Sequence, residues 1–163
     1  MTSAQEKRGA APVGYITELD SIEAASVIYL RLWCDGPDGQ ISVWNDFASS
    51  LGADQGSRVV KAFENLCTLC AQHGRRPLIR HSVQCKCLGS DESCFANFIA
   101  TAATGDREDA MMIATTLVRP DVAPLITTLA ADFGLALKRM NLAALKDWGS
   151  TAMQTQTHAT TLH

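Results

Sequence analysis

Residues 58–74 read RVVKAFENLCTLCAQHG, and this stretch carries the clearest structural signal in the chain. Its apolar side chains recur at steps of three and four residues, which is the spacing of one face of an α-helix. That face comprises Val59, Val60, Phe63, Leu66, Cys67 and Cys70. Gly74 follows the last turn, where helices commonly end on a glycine in the left-handed conformation. The stretch therefore predicts an amphipathic helix that ends near His73.

The same periodicity recurs on both sides of this helix. Helical stripes also run from Ile22 to Trp33, Val43 to Leu51, Cys94 to Ala102, Ala110 to Leu117 and Val122 to Met140. Residues that cap helices precede four of them, namely Asp20, Ser90, Asp106 and Asp121. Only the short runs at 41–43 and 77–79 have an ambiguous, strand-like character. We therefore expect an all-α fold, a compact bundle of about five to seven helices.

Length and composition favour one folded domain. The chain has 163 residues, of which 47% are hydrophobic and 19% are charged, so it is not a wholly disordered chain. We expect a single helical domain at residues 17–149, between a flexible arm at 1–16 and a frayed tail at 150–163. No apolar run is long enough to span a membrane and no secretion signal is recognisable, so we expect a cytoplasmic protein without a membrane partner.

One long segment, at about residues 74–90, lacks helical periodicity. It includes RRPLIRHSVQCKCLGS at 75–90. A loop of this length inside a compact domain is unusual, so something should hold it in place. Five of the six cysteines fall between positions 67 and 94, close to two histidines. In a reducing compartment, clustered cysteines indicate metal binding or redox chemistry, and thiolate with imidazole is the ligand set of tetrahedral zinc.

The sequence predicts a zinc ion that pins this loop in a structural or regulatory role. The preferred ligands are His73, His81, Cys85 and Cys87, with Cys70, Asp91 and Glu92 as alternatives. Cys67, Cys70 and Cys94 lie on apolar helix stripes, where core packing is the simpler explanation. An enzyme is not favoured. If one zinc position were open to water, Asp91 or Glu92 could act as a base, and the protein would be a metal-dependent hydrolase.

Two weaker signals lie in the same region. Cys67-x2-Cys70 has the spacing of thiol oxidoreductases, but it lies near a helix C-terminus, where the dipole disfavours a thiolate. Arg75, Arg76 and Arg80 give the loop an excess of positive charge, which suits an anion site or pairing with nearby carboxylates such as Glu92.

DNA binding is the remaining alternative. The segments from Val43 to Leu51 and from Ser57 to Ala71 are joined by a glycine-containing turn, as in a helix-turn-helix. The second helix offers only Arg58 and Lys61 for base contacts in its first turn, and the net charge of −3 disfavours nucleic acid. The alanine-rich apolar helix faces would also suit a homodimer.

Overall fold

The computed structural model describes the backbone of residues 8–159 and the side chains of residues 8–142. Within that range it has six α-helices: α1 (Ser21–Cys34), α2 (Pro37–Leu51), α3 (Ala53–His73), α4 (Ser90–Ala103), α5 (Arg107–Leu117) and α6 (Ala123–Ala159). A short 3-10 helix at Ile16–Glu18 precedes α1, and β1 (Pro12–Tyr15) and β2 (Cys87–Gly89) form an antiparallel pair. The predicted helical bundle is confirmed, with a small two-stranded sheet added to it.

The predicted apolar stripe of α3 lies at the centre of the core. Val60, Phe63 and Leu66 are fully buried, and burial of each such side chain stabilises the fold by roughly 1.5–3 kcal/mol. The ring of Phe63 stacks on Phe133 of α6 with 4.4 Å between centroids, and Phe47 of α2 stacks on Phe133 at 5.9 Å. Helix α3 is therefore packed between α2 and α6.

Two glycines shape the bundle in different ways. Gly134 weakens helix propensity in α6, but a Cβ at that position would come within 2.6 Å of the Cβ of Ala103 in α4. The glycine thus lets α4 and α6 approach. Gly52 has a φ of +86° and joins α2 to α3, so the chain reverses direction through one residue.

The helix ends agree with the sequence in part. Asp20 accepts a hydrogen bond from the backbone N–H of Glu23 at 2.9 Å, and Asp106 accepts one from Asp109 at 3.2 Å, so two of the four predicted caps are confirmed. The cap predicted at Ser90 is wrong, because Ser90 is the first residue of α4 and Gly89 is its N-cap. The carboxylate of Asp121 accepts from Arg119 at 3.3 Å, and α6 begins two residues later, at Ala123.

Helix α3 ends at His73 as expected, but the left-handed conformation predicted for Gly74 is wrong, since its φ is −63°. A Cβ on Gly74 would lie 2.2 Å from the carbonyl oxygen of Cys70, so close backbone approach is the physical reason for this glycine.

The strands lie where periodicity gave no signal. Residues 41–43 belong to α2 and residues 77–79 lie in the loop, whereas Pro12 pairs with Gly89 and Tyr15 with Cys87.

The arm predicted at 1–16 therefore includes a strand, and its residues 1–7 lie outside the described part. The tail predicted at 150–163 is helical up to Ala159, and residues 160–163 lie outside that part as well. None of the described helices is both long and apolar enough to cross a membrane.

Candidate functional site

The linking loop, residues 74–86, is held by a buried arginine. Arg31 of α1 is 1% exposed and donates to the carboxylate of Glu92 through Nε at 2.6 Å and Nη2 at 2.9 Å. Its other N–H groups donate to the backbone carbonyls of Ser82 (3.1 Å), Cys85 (2.6 Å) and Cys87 (2.7 Å). A guanidinium has five N–H donors, so every donor of Arg31 has an acceptor. Where the sequence predicts a metal, the structure shows protein hydrogen bonds.

Glu92 completes this buried pair from the first turn of α4. Besides Arg31, it accepts hydrogen bonds from the backbone N–H of Gly89 at 2.9 Å and of His81 at 3.3 Å. Burial alone would raise the pKa of Glu92, but the hydrogen bonds from Arg31 and Gly89 outweigh it, so the pKa lies below its ordinary value. Glu92 is therefore an ionised structural group, and each oxygen of its carboxylate accepts two hydrogen bonds from the protein.

Asp91 anchors the loop one residue earlier. Its carboxylate accepts two hydrogen bonds from the guanidinium of Arg76, one of them at 2.7 Å, and one from the backbone N–H of Ile79 at 2.8 Å. The hydrogen bond with Asp91 is also the main reason that the pKa of Arg76 is raised. The two carboxylates considered as alternative zinc ligands, or as the base of a hydrolase, thus both serve to hold the loop.

The four preferred zinc ligands make separate contacts. The Nδ1 atom of His73 lies 3.2 Å from Nη2 of Arg119, and Nε2 of His81 lies 3.0 Å from the carbonyl oxygen of Ala10. Cys85 and Cys87 direct their carbonyl oxygens at Arg31, as described above. Within residues 8–142, no three histidine, cysteine, aspartate or glutamate side chains form a group that could hold a metal ion. The zinc site therefore stays a prediction that this geometry does not support.

The three loop arginines do not converge on one anion site. The Nε atom of Arg75 donates to the carbonyl oxygen of Thr115 at 2.6 Å, while Arg76 binds Asp91. Arg80 is exposed and donates through Nη2 to the carbonyl oxygen of Cys34 at 2.9 Å. The pairing of an arginine with a nearby carboxylate is found for Arg76, with Asp91 in place of the Glu92 named from the sequence.

A cavity of about 330 Å³ lies between the loop and the helices. We call the part of the loop above it, residues 77–80, the roof. The cavity is lined by Leu30 and Cys34 of α1, Cys67, Cys70 and Ala71 of α3, Phe95 of α4, and Pro77, Leu78 and Arg80 of the roof. Its walls are thus mostly apolar carbon and sulfur, with one charged side chain.

The three cavity thiols are neutral. Burial raises the pKa of Cys70 to about 12 and the pKa of Cys67 well above its ordinary value. Burial also raises the pKa of Cys34, although the nearby Arg80 opposes that shift. Because a thiolate is the nucleophile and the metal ligand, these thiols act as apolar wall. This agrees with the sequence argument against redox chemistry at Cys67 and Cys70.

Sequence reasoning missed the residue on which the loop depends. Arg31 lies in the apolar stretch VIYLRLWC at 27–34, and a single charge inside such a run is the signal that could have revealed it. Its partner Glu92 is 61 residues away in the sequence, so no local pattern could identify the pair. The cavity was missed for the same reason, because its walls come from three helices and the loop.

The DNA-binding helix-turn-helix stays a prediction, since its two helices are joined at Gly52 and its Arg58 and Lys61 are exposed. Its second helix lies within α3, whose Val60 and Phe63 are fully buried between α2 and α6.

Comparison of the chain with protein-family models, with curated proteins and with solved structures finds no match. What the protein does must therefore be inferred from its own residues.

Proposed function

We propose that this chain is a small-molecule-binding protein that holds an apolar ligand in the cavity beneath the roof. The observation that carries the proposal is the cavity itself, whose volume of about 330 Å³ falls in the range of ligand pockets. Leu30, Cys70 and Phe95 give it an apolar wall of buried side chains, and the neutral thiols of Cys34 and Cys67 extend that wall.

Hydrogen bonds within the protein fix the roof of the cavity. On the side of α4, the backbone N–H of Ile79 in the roof donates to Asp91, and that of His81, the first residue after the roof, donates to Glu92. Arg31 fixes the following part of the loop through its carbonyls. A preformed pocket lowers the entropy lost on binding, so a fixed roof favours affinity.

Binding without catalysis fits the residues that line the cavity. None of the nine described lining residues is a histidine, aspartate, glutamate or serine, and the three cysteines are neutral thiols. A general base or an activated nucleophile is thus absent from the described lining. The lining offers apolar contact and one cation, which suits recognition of a ligand.

The experiment is a titration with N-phenyl-1-naphthylamine, a neutral dye whose fluorescence rises in apolar surroundings. We expect saturable binding of one dye per chain. Ala71→Trp should abolish it, because Ala71 is exposed at the edge of the cavity and tryptophan would fill the space. Gln72→Trp is the matched control, since Gln72 is the next residue of α3, is exposed, and does not line the cavity.

The outcomes separate clearly. Dye binding that is lost only in Ala71→Trp, with unchanged thermal unfolding of both variants, supports the cavity as the binding site. Equal binding by wild type and both variants would place the dye elsewhere and contradict the proposal, as would the absence of binding to wild type.

The roles predicted from the sequence remain predictions. They are a structural or regulatory zinc ion, a helix-turn-helix that binds DNA, a metal-dependent hydrolase, a homodimer and a cytoplasmic location. No contact among the described residues favours one of them over ligand binding, and the groups named for the zinc and hydrolase roles have the other partners described above.

A further inference from the structure

We infer that the ligand of this cavity is an apolar molecule that carries a carboxylate, and that Arg80 of the roof binds the carboxylate. This inference rests on the proposed binding function and adds the chemical class of the ligand. Arg80 is the one charged side chain among the nine described lining residues. A ligand that fills the cavity and packs against its apolar wall therefore meets a single cation at the roof.

Arg80 and Arg75 have no carboxylate partner among residues 8–142, and of these two only Arg80 lines the cavity. Arg31 is paired with Glu92, and Arg76 is paired with Asp91. The bond that the structure gives Arg80 is to the carbonyl oxygen of Cys34, which also lines the cavity. That bond uses one of five donors and holds the guanidinium beside the cavity, so the rest of its planar fork can bind an acid.

A carboxylate matches this site better than a cation or a neutral group. The described lining holds no acidic side chain, so a cationic ligand would find no counter-charge and would meet Arg80. The thiols of Cys34, Cys67 and Cys70 are weak hydrogen-bond donors and give a neutral polar group little to bind. The guanidinium fork, by contrast, fits both oxygens of a carboxylate at once.

The size of the expected effect follows from the position of Arg80. Charge-assisted hydrogen bonds are strong, but Arg80 is exposed and water screens its charge. We therefore expect the acid to bind about fivefold to tenfold more tightly than a neutral compound of the same shape. Added salt should reduce this preference, because it screens an exposed ion pair.

The test compares 4-phenylbutanoate with its neutral amide, 4-phenylbutanamide, as competitors of the naphthylamine dye at neutral pH. Wild type should prefer the acid, and Arg80→Gln should bind acid and amide equally. Arg75→Gln is the matched control: it removes the same charge from an exposed arginine of the same loop that does not line the cavity. It should keep the preference for the acid.

Two results would overturn the inference. One is equal or tighter binding of the amide by wild type, and the other is a preference for the acid that survives in Arg80→Gln or disappears in Arg75→Gln. If the dye binds and is blocked by Ala71→Trp, but neither competitor displaces it, the binding function stands and the acid-headed ligand class is rejected. If wild type does not bind the dye at all, the proposed function fails.

Discussion

The two faces of the linking loop are built in opposite ways. On one face, the backbone meets Arg31, Asp91 and Glu92, and each of these charged groups has its hydrogen bonds satisfied. On the other face, the roof contributes Pro77, Leu78 and Arg80 to a cavity of about 330 Å³. The first face has every charge paired and only maintains the shape of the loop. The second leaves one cation and an apolar space for a molecule from outside.

The largest expected effect comes from breaking the first face with Arg31→Met. The substitution leaves Glu92 as a buried charge without its partner, and it leaves two carbonyls of the loop and one of β2 without this donor. Removing one member of a buried ion pair costs about 3–5 kcal/mol, so the free energy of unfolding in urea should fall by that amount. Arg75→Met, at an exposed arginine, should change it by less than about 0.5 kcal/mol. Similar losses in the two variants would show that Arg31 has no special role.

Acid should weaken the same face through Glu92. Its pKa in the folded protein lies below the ordinary value of 4.5, so as pH falls the unfolded chain binds this proton first. The stability contributed by Glu92 is therefore complete above pH 4.5 and is lost as pH falls through the folded pKa. The free energies of unfolding of wild type and Glu92→Gln should converge below about pH 4.5. Their difference should change by at most about 1.4 kcal/mol per pH unit. A constant difference between them from neutral pH to about pH 3 would contradict this.

Asp91→Asn should have a smaller effect than Arg31→Met. Asp91 is 5% exposed, but the side chain of its partner Arg76 is 38% exposed, so water compensates part of the loss. An asparagine can still accept a hydrogen bond from the backbone N–H of Ile79. We expect a loss of about 1–2 kcal/mol in urea unfolding. The dye should also bind more weakly, because the roof loses an anchor. A loss as large as that of Arg31→Met would mean that the Asp91–Arg76 pair and the Glu92–Arg31 pair stabilise the fold equally.

The smallest expected effect is on metal content. Cys85 and Cys87 hold the loop through their carbonyl oxygens, which every residue has, so Cys85→Ser/Cys87→Ser should leave those bonds to Arg31 in place. Elemental analysis of protein purified without chelator should give the same zinc content for wild type and the double variant. One zinc per chain in wild type, lost in the variant, would instead support the zinc site predicted from the sequence and require a different loop arrangement.

Local patterns allowed the helices to be predicted. The two strands could not be predicted, because they depend on pairing between distant parts of the chain. The stripe through Val60, Phe63 and Leu66 and the caps at Asp20 and Asp106 depend on neighbours within a few residues, so the sequence reveals them. Strands of three or four residues are too short to show alternation, and β1 pairs with a segment more than seventy residues away.

The loop shows the same division. Its length indicated that something must hold it, and the nearby cysteines and histidines suggested zinc. The group that holds it is Arg31, 51 residues before Ser82, which no local pattern connects to the loop. The cavity is a product of tertiary packing, so only the apolar character of its individual wall residues was visible in the sequence.

The way in which Arg31 binds the loop has a consequence for engineering and for divergence. Arg31 contacts main-chain oxygens of residues 82, 85 and 87, and main-chain oxygens do not depend on the amino acid present. The path of the loop is therefore specified from another element, while the side chains of the roof remain open to replacement. A library randomised at Leu78 and Arg80 should yield folded proteins with new ligand preferences, because ligand selectivity and loop shape are encoded by different residues.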